Sequence, residues 1–288
     1  MKQEQSEAPI VDSQPTGEKG KSPVVFSVTS GKGGVGKTNI SVNLAYCFQQ
    51  MGYRSVLLDA DLGLGNVDVL LGLVPRYNLF HLFYQGMDIE RVMFKTPYGF
   101  TILPAASGVS EMLTLSSGQK LELLEALDPL EDEVDFFLVD TGAGINDNVL
   151  YFNMAVQRRV IVLSPEPTSL TDAYALIKVL SLKHGIHDFQ ILVNFAKDAR
   201  EAKKVFSRLY SACDHFLNEV ALDWLGFIPR DEAITKAVVA QRPFCEMSPQ
   251  SRASENLRQV TERMLHWDRD EQLDGNIKFF WKKLLFQG

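Results

Sequence analysis

Residues 24–38 read Val-Val-Phe-Ser-Val-Thr-Ser-Gly-Lys-Gly-Gly-Val-Gly-Lys-Thr, and no other stretch restricts the fold as strongly. The apolar run from Val24 to Val28 predicts a buried strand. Gly31, Gly33, Gly34 and Gly36 then turn the chain, which closes on Lys37 and Thr38. Ile40, Leu44, Cys47 and Phe48 follow at helical spacing. Strand, glycine loop, Gly-Lys-Thr and helix, in that order, make a phosphate-binding loop in its working context. Glycines let successive backbone N–H groups turn inward toward phosphate oxygens, and the helix start adds partial positive charge. Gly31, Lys32, Gly33, Gly34, Val35, Gly36, Lys37, Thr38 and Asn39 are therefore the candidate nucleotide contacts. Lys37 would reach the outer phosphates, and the Thr38 hydroxyl would ligate Mg²⁺.

Lys32 adds specificity. An ordinary loop of this kind needs no second lysine there, and two ammonium groups would meet one triphosphate. Lys32-Gly33-Gly34-Val35-Gly36-Lys37-Thr38 resembles the deviant Walker A loop of the MinD/ParA ATPases. The resemblance implies ATP or ADP with Mg²⁺ as ligands. It also implies that the extra lysine contacts phosphates across an ATP-sandwiched dimer or within its own subunit.

At 288 residues the chain can hold one large α/β domain or two small ones. Apolar residues make up 45% and charged residues 23%, so most of it should be globular. A net charge of −7 disfavours broad nucleic-acid binding, and specific DNA binding is not expected. Cys47, Cys213 and Cys245 are odd in number, widely scattered and without a Cys-x-x-Cys pair. That disfavours a disulfide framework or an iron–sulfur carrier, and each reads as a buried or idle thiol. The five histidines show no ligand spacing. No signal peptide or apolar run of about 18 residues occurs, which places the expected compartment in the cytoplasm. Residues 1–22 are polar with scattered Pro and Gly, and are expected to be disordered.

The rest of the chain alternates strands with helices, which predicts a doubly wound, mostly parallel sheet with helices on both faces. Expected strands cover 55–61, 99–104, 135–140, 158–164, 189–194 and 224–229, and expected helices 78–83, 88–94, 117–127, 232–241 and 249–266. The strand at 55–61 ends in Asp59 and Asp61, alternate positions that share a direction at the carboxyl end, where open α/β sheets bind ligands. The apolar strand ending in Asp140 is a Walker B pattern, its carboxylate facing Mg²⁺. Thr168 or Ser169 would cap the helix after the 158–164 strand. Arg200, Lys203, Lys204 and Arg208 lie along one helix, as a solvated basic face or a patch for a partner or membrane.

The MinD/ParA resemblance, which runs from about residue 24 to about residue 267, assigns further roles. Asp61 would position the attacking water on the first switch, beside Lys32 and Lys37 as catalytic groups. Asp59 would join Thr38 and Asp140 near Mg²⁺. Thr141-Gly-Ala-Gly144 would be the second switch, where septum-site members carry Ser-Pro-Ala-Gly. Asn194, Pro229 and Arg230 would flank the adenine. Within the family, Asp59-Ala-Asp-Leu-Gly-Leu-Gly-Asn-Val-Asp-Val-Leu-Leu-Gly72 is similar to the flagellar number regulators, FlhG or FleN. Glu166-Pro-Thr-Ser-Leu-Thr-Asp-Ala-Tyr-Ala-Leu-Ile-Lys178 agrees with them. Many of those regulators begin with a motif that stimulates the GTPase FlhF, and residues 1–22 lack it.

The tail forms a second candidate site. At about 100° per residue, Ile277, Phe280, Trp281, Leu284 and Leu285 share one helix face, with Lys278, Lys282 and Lys283 off it. A basic, aromatic-rich amphipathic helix suits an anionic membrane, and two copies in a dimer would bind far better than one. Docking on protein is the other reading, and Phe279 and Phe286 lie off the apolar face. The expected organisation is 1–22 disordered, 23–267 ATPase domain, and 268–288 linker plus membrane-targeting helix. The expected function is a slow ATPase switch, dimeric with ATP and peripheral at the inner membrane face. It would regulate flagellar number and placement through FlhF, a transcription activator or switch-complex components. The alternative is a septum or partition ATPase acting on another cargo.

Overall fold

In the computed structural model the described residues are 22–267, apart from 107, 110, 111, 113 and 218. Strand β1 (Val24–Ser30) lies at the centre, buried along its whole length. It pairs in parallel with β5 (Phe136–Ala143) on one side and β6 (Arg158–Leu163) on the other. With β2 (Ser55–Ala60), β3 (Phe94–Lys95), β4 (Thr101–Leu103), β7 (Asp188–Ala196) and β8 (Ala221–Pro229), these form one sheet in the order β3-β4-β2-β5-β1-β6-β7-β8. Every pairing is parallel except β3 with β4, at one edge. The mostly parallel sheet is thus as expected, with one short antiparallel addition. The chain after residue 92 turns into β3 rather than continuing the helix expected over 88–94.

Successive strand residues point to opposite faces, so a strand covered on both sides is apolar on both faces over most of its length. Phe26, Val28, Leu57 and Leu138 face one core layer, and Val25, Val56, Leu58, Phe137 and Val139 the other. The first layer is closed by α1 (Lys37–Gln50), α9 (Glu232–Val239), α10 (Phe244–Met247) and α11 (Arg252–Met264). The second is closed by α3 (Leu79–Gln85), α4 (Ile89–Val92), α5 (Ser117–Leu127), α6 (Asp147–Ala155), α7 (Pro167–His184) and α8 (Ala199–Phe216). The short α2 (Val67–Leu70) follows β2.

Helix starts follow their caps. Asn78, Ser116, Asn146, Asp198, Asp231 and Ser251 each accept a backbone N–H with the side chain. Helix α7 corrects the expectation. It starts at Pro167 after Glu166, with no side-chain cap. A proline needs no partner for a missing N–H at a first helical position. Ser169 Oγ instead accepts from Ser164 N at 3.0 Å, and Thr168 faces Lys32.

All three cysteines are buried, but they are not all scattered. The Cys47 and Cys245 thiols hydrogen-bond each other across α1 and α10, which draws the Cys47 pKa down and helps push Cys245 up. Trp267 ends the described chain edge-to-face on Phe26, 5.4 Å between centroids, with the Arg158 guanidinium over its ring. Ile277, Phe280, Trp281, Leu284 and Leu285, and residues 1–21, lie outside the described residues.

Helix α11 reaches β8 because Gly226 has no side chain. A Cβ there would lie 2.6 Å from Val260 Cγ2. Gly226→Ala should destabilise the protein by about 1–3 kcal/mol through forced repacking, read as a lower denaturant midpoint. An unchanged midpoint would show that α11 shifts freely on the sheet.

Candidate functional site

The loop after β1 is held from two directions. Gly31 lies against the main chain of α7, where a Cβ would sit 2.0 Å from Asp172 O. Gly36 precedes α1 with φ 89°, the left-handed region that glycine enters at little cost. A Cβ on Gly36 would lie 2.5 Å from Asn194 Nδ2. That amide donates to Val35 O at 2.8 Å, and its Oδ1 accepts from Phe195 N at 2.9 Å. Phe195 has φ 59°, and the pairing of β7 with β8 slips between Asn194 and Ala196. Such a bulge re-aims a side chain, and here it accompanies a clamp from Asn194 to the loop. Asn194 therefore touches the phosphate-binding loop itself. Pro229 is buried opposite Ala196, and Arg230, exposed beyond it, donates its N–H to Ala196 O at 2.8 Å.

Lys37, at the first position of α1, is 8% exposed. Burial pushes its pKa down, while the charges of Asp140 and Asp61 oppose that shift. Asp59 and Asp140 are register partners on β2 and β5, and each is 1% exposed. Burial pushes Asp140 up to about 6, against the pull of Lys37 and hydrogen bonds from Thr38 and Ser41. The Ser41 hydroxyl donates to Asp140 Oδ1 at 2.8 Å. Burial and then the Asp140 charge push Asp59 up to about 8. The opposing influence is three backbone donors: Asn66 N at 2.9 Å, Val67 N at 3.1 Å and Asp61 N at 3.2 Å.

Asp61 lies one residue beyond β2 and against the Thr141–Gly144 segment, because a Cβ on Gly142 would be 3.4 Å from its Oδ1. Gly144 N donates to Ser30 O at 3.0 Å and ties that segment back to β1. The structure thus brings Lys37, Thr38, Asp59, Asp61 and Asp140 together around the start of α1. Lys32 is directed elsewhere. Its ammonium donates to Glu166 Oε2 and, at 2.8 Å, to Thr168 Oγ1. Lys32 in turn holds the Glu166 carboxyl below its ordinary value. Sequence reasoning missed Ser41 and Phe195, and it read Glu166 only as part of a motif and Thr168 only as a cap, not as partners of Lys32. Ser41 alone carried a signal, since it falls one helical turn after Lys37.

The donor set fits Mg²⁺. Two buried carboxylates that repel each other, with a hydroxyl beside them, are hard oxygen ligands. No group of three or more His, Cys, Asp or Glu that could hold a metal occurs among the described residues. The left-handed turns at Gly34, which is open, and at Gly36 likewise fit a phosphate chain approaching backbone N–H groups.

Elsewhere, Arg200, Lys203, Lys204 and Arg208 are exposed on α8, with the Lys203 ammonium 3.9 Å from the Trp224 ring centroid. Among the described residues, no helix is long and apolar enough to cross a membrane.

Removing the clamp should loosen the loop. Asn194→Ala should cost about 1–3 kcal/mol of stability, because the Val35 carbonyl loses its buried donor. It should also weaken ATP binding roughly tenfold, measured by titration calorimetry. Unchanged affinity would mean that the loop holds its shape without β7.

Comparison with known proteins agrees with this geometry. Residues 26–244 match the CobQ/CobB/MinD/ParA nucleotide binding domain family. The chain is 44% identical to Antiactivator FleN of Pseudomonas aeruginosa over 261 residues, covering 91% of this chain and 93% of that protein. It is 31% identical to Flagellum site-determining protein YlxH of Helicobacter pylori, covering 90% and 89%. The fold matches cell division ATPase MinD of Pyrococcus furiosus with a TM-score of 0.69 at 24% identity, over 84% of this chain and 98% of that one. MinD of Pyrococcus horikoshii, solved with Mg-ADP, gives a TM-score of 0.68 over 88% and 98%. The chain belongs to the CobQ/CobB/MinD/ParA nucleotide-binding family.

Proposed function

We propose that this protein is an ATP-binding, slowly ATP-hydrolysing switch that regulates flagellar number and placement. The observation that carries the enzymatic part is the buried group of Lys37, Asp59 and Asp140 at the end of the glycine loop. The flagellar part rests on similarity to FleN and YlxH over nine-tenths of the chain.

Catalysis would be positioning plus electrostatics. Backbone N–H groups of residues 31–39 would cradle the phosphates, and Lys37 would neutralise charge on the outer ones. Thr38, Asp59 and Asp140 would hold Mg²⁺, which when bound offsets charge on the phosphate oxygens. Asp61 would orient the attacking water. Asn194, Pro229 and Arg230 would flank the adenine. Lys32 would exchange Glu166 and Thr168 for phosphate when ATP arrives, in its own subunit or across an ATP-dependent homodimer.

In the same reading, residues 23–267 form the ATPase domain and 268–288 a linker and membrane-targeting helix. Ile277, Phe280, Trp281, Leu284 and Leu285 would enter an anionic membrane once dimerisation presents two copies. The protein would then cycle between cytoplasm and inner membrane face, with flagellar proteins as partners: FlhF, a transcription activator or switch-complex components.

Asp61→Ala should lower hydrolysis about 100-fold while ATP still binds, and Lys37→Ala should abolish ATP binding, both measured with radiolabelled ATP. Hydrolysis by Asp61→Ala at the normal rate would remove Asp61 from the mechanism. In co-sedimentation with phosphatidylglycerol vesicles, only the full chain with ATP should pellet; ADP, or a chain ending at Asp274, should leave it in solution. Equal pelleting in both nucleotides would end the gating part of the reading.

A further inference from the structure

The inner layer beneath α6 takes Phe137 and Val139 from β5 and Ile161 and Leu163 from β6, with buried Arg159 at the start of β6 donating to Asn153 O at 2.7 Å. Strand β1 breaks the pattern with Ser27 and Thr29, both fully buried. They meet Asn153 of α6, also fully buried. The Ser27 hydroxyl donates to Asn153 Oδ1 at 2.8 Å. Asn153 Nδ2 donates to Thr29 Oγ1 at 3.1 Å and to Val149 O at 2.7 Å. Thr29 Oγ1 lies 2.9 Å from Thr141 Oγ1, at the start of the second switch. A connected polar chain therefore crosses from α6 through β1 to the switch. Valine or leucine would fill these places without the desolvation cost of polar groups, so the core alone does not call for them.

Counting protons gives the chain a direction. The Thr141 hydroxyl has one hydrogen and three acceptors in reach: Thr29 Oγ1 at 2.9 Å, Gly142 O at 2.9 Å and Val28 O at 3.3 Å. Thr141 donates to Thr29 Oγ1, and the same oxygen accepts from the Asn153 amide, which holds it in place. Without that amide the Thr29 side chain is less firmly held, the Thr141 hydroxyl loses a fixed acceptor, and the backbone from Thr141 to Gly142 loses its anchor. Gly142 is the residue whose α-carbon faces Asp61 Oδ1.

We propose that Asn153 is a positioning residue for ATP hydrolysis: through Thr29 and Thr141 it fixes the Gly142 peptide against which Asp61 rests. The inference depends on the ATPase reading above. It is tested on the full chain with Asn153→Leu, which keeps the shape without the amide, and with Thr141→Val and Thr141→Ser. Steady-state hydrolysis, ATP Kd and Tm are measured for each, and for the Asn153→Leu/Thr141→Val double variant. Misplacement of a reacting group by a fraction of an ångström predicts about a tenfold fall in kcat for Asn153→Leu and Thr141→Val. Kd should stay within roughly twofold of wild type, because the nucleotide loop is untouched, and Thr141→Ser should keep nearly full kcat. Residues acting through one path are not additive, so the double variant should match Thr141→Val alone. A lower Tm with unchanged kcat, or effects that multiply in the double variant, would overturn the proposal. If Asn153→Leu does not fold, Thr141→Val decides, and its having wild-type kcat sinks the idea. A wild-type chain that hydrolyses no ATP defeats the ATPase reading and this inference together. An active wild type with unaffected variants defeats the inference alone.

Discussion

Burial of opposite charge at one end of the sheet is the constraint on which the site depends. Lys37, Asp59 and Asp140 are withdrawn from water at the carboxyl ends of β2 and β5 and the start of α1. An isolated buried charge is costly, and such groups persist where they are paired, hydrogen-bonded or metal-bound. Here one lysine faces two carboxylates whose pKa values are both raised, chiefly by burial. The three amides on Asp59 and the hydroxyls on Asp140 hold these groups in place. A site of that kind is preorganised for a cation and a polyphosphate rather than for its own stability.

Three distant segments give this centre its shape. Residue 194 clamps the loop from β7, α7 supports it beneath Gly31, and the segment after β5 is tied to Ser30 through Gly144. Each contact joins a mobile class of element, a loop, to a rigid one. The loop can thus be glycine-rich without being undefined, because its carbonyls and close approaches are assigned by the sheet around it.

Much of this was legible in the sequence. Largely apolar runs marked the central strands, because burial on both faces disfavours a polar side. The glycine loop and the strand-end acids marked the site, because few other residue types can do that chemistry. What escaped detection was relational. Lys32 was visible as an extra cation, but its partner Glu166 lies 134 positions away and is an ordinary loop acid until the fold places it. The bulge at Phe195 depends on cross-strand register, which no local pattern encodes. Thr168 and Ser169 read as caps because hydroxyls favour that position, yet Pro167 starts the helix earlier and tertiary contacts take both hydroxyls. Cys47 and Cys245 looked unrelated because linear spacing says nothing about two helices that cross.

The edge-to-face packing of Trp267 on Phe26, beneath Arg158, has a geometric consequence. Arg158 opens β6 and pairs with Phe26, whereas the glycine loop begins after Ser30, farther along β1. At about 3.3 Å per residue, the stretch from Phe26 to Gly31 spans roughly 17 Å. The indole therefore closes the core at the end of β1 opposite the glycine loop, so the last described residue of the chain and the loop are held by the two ends of one buried strand.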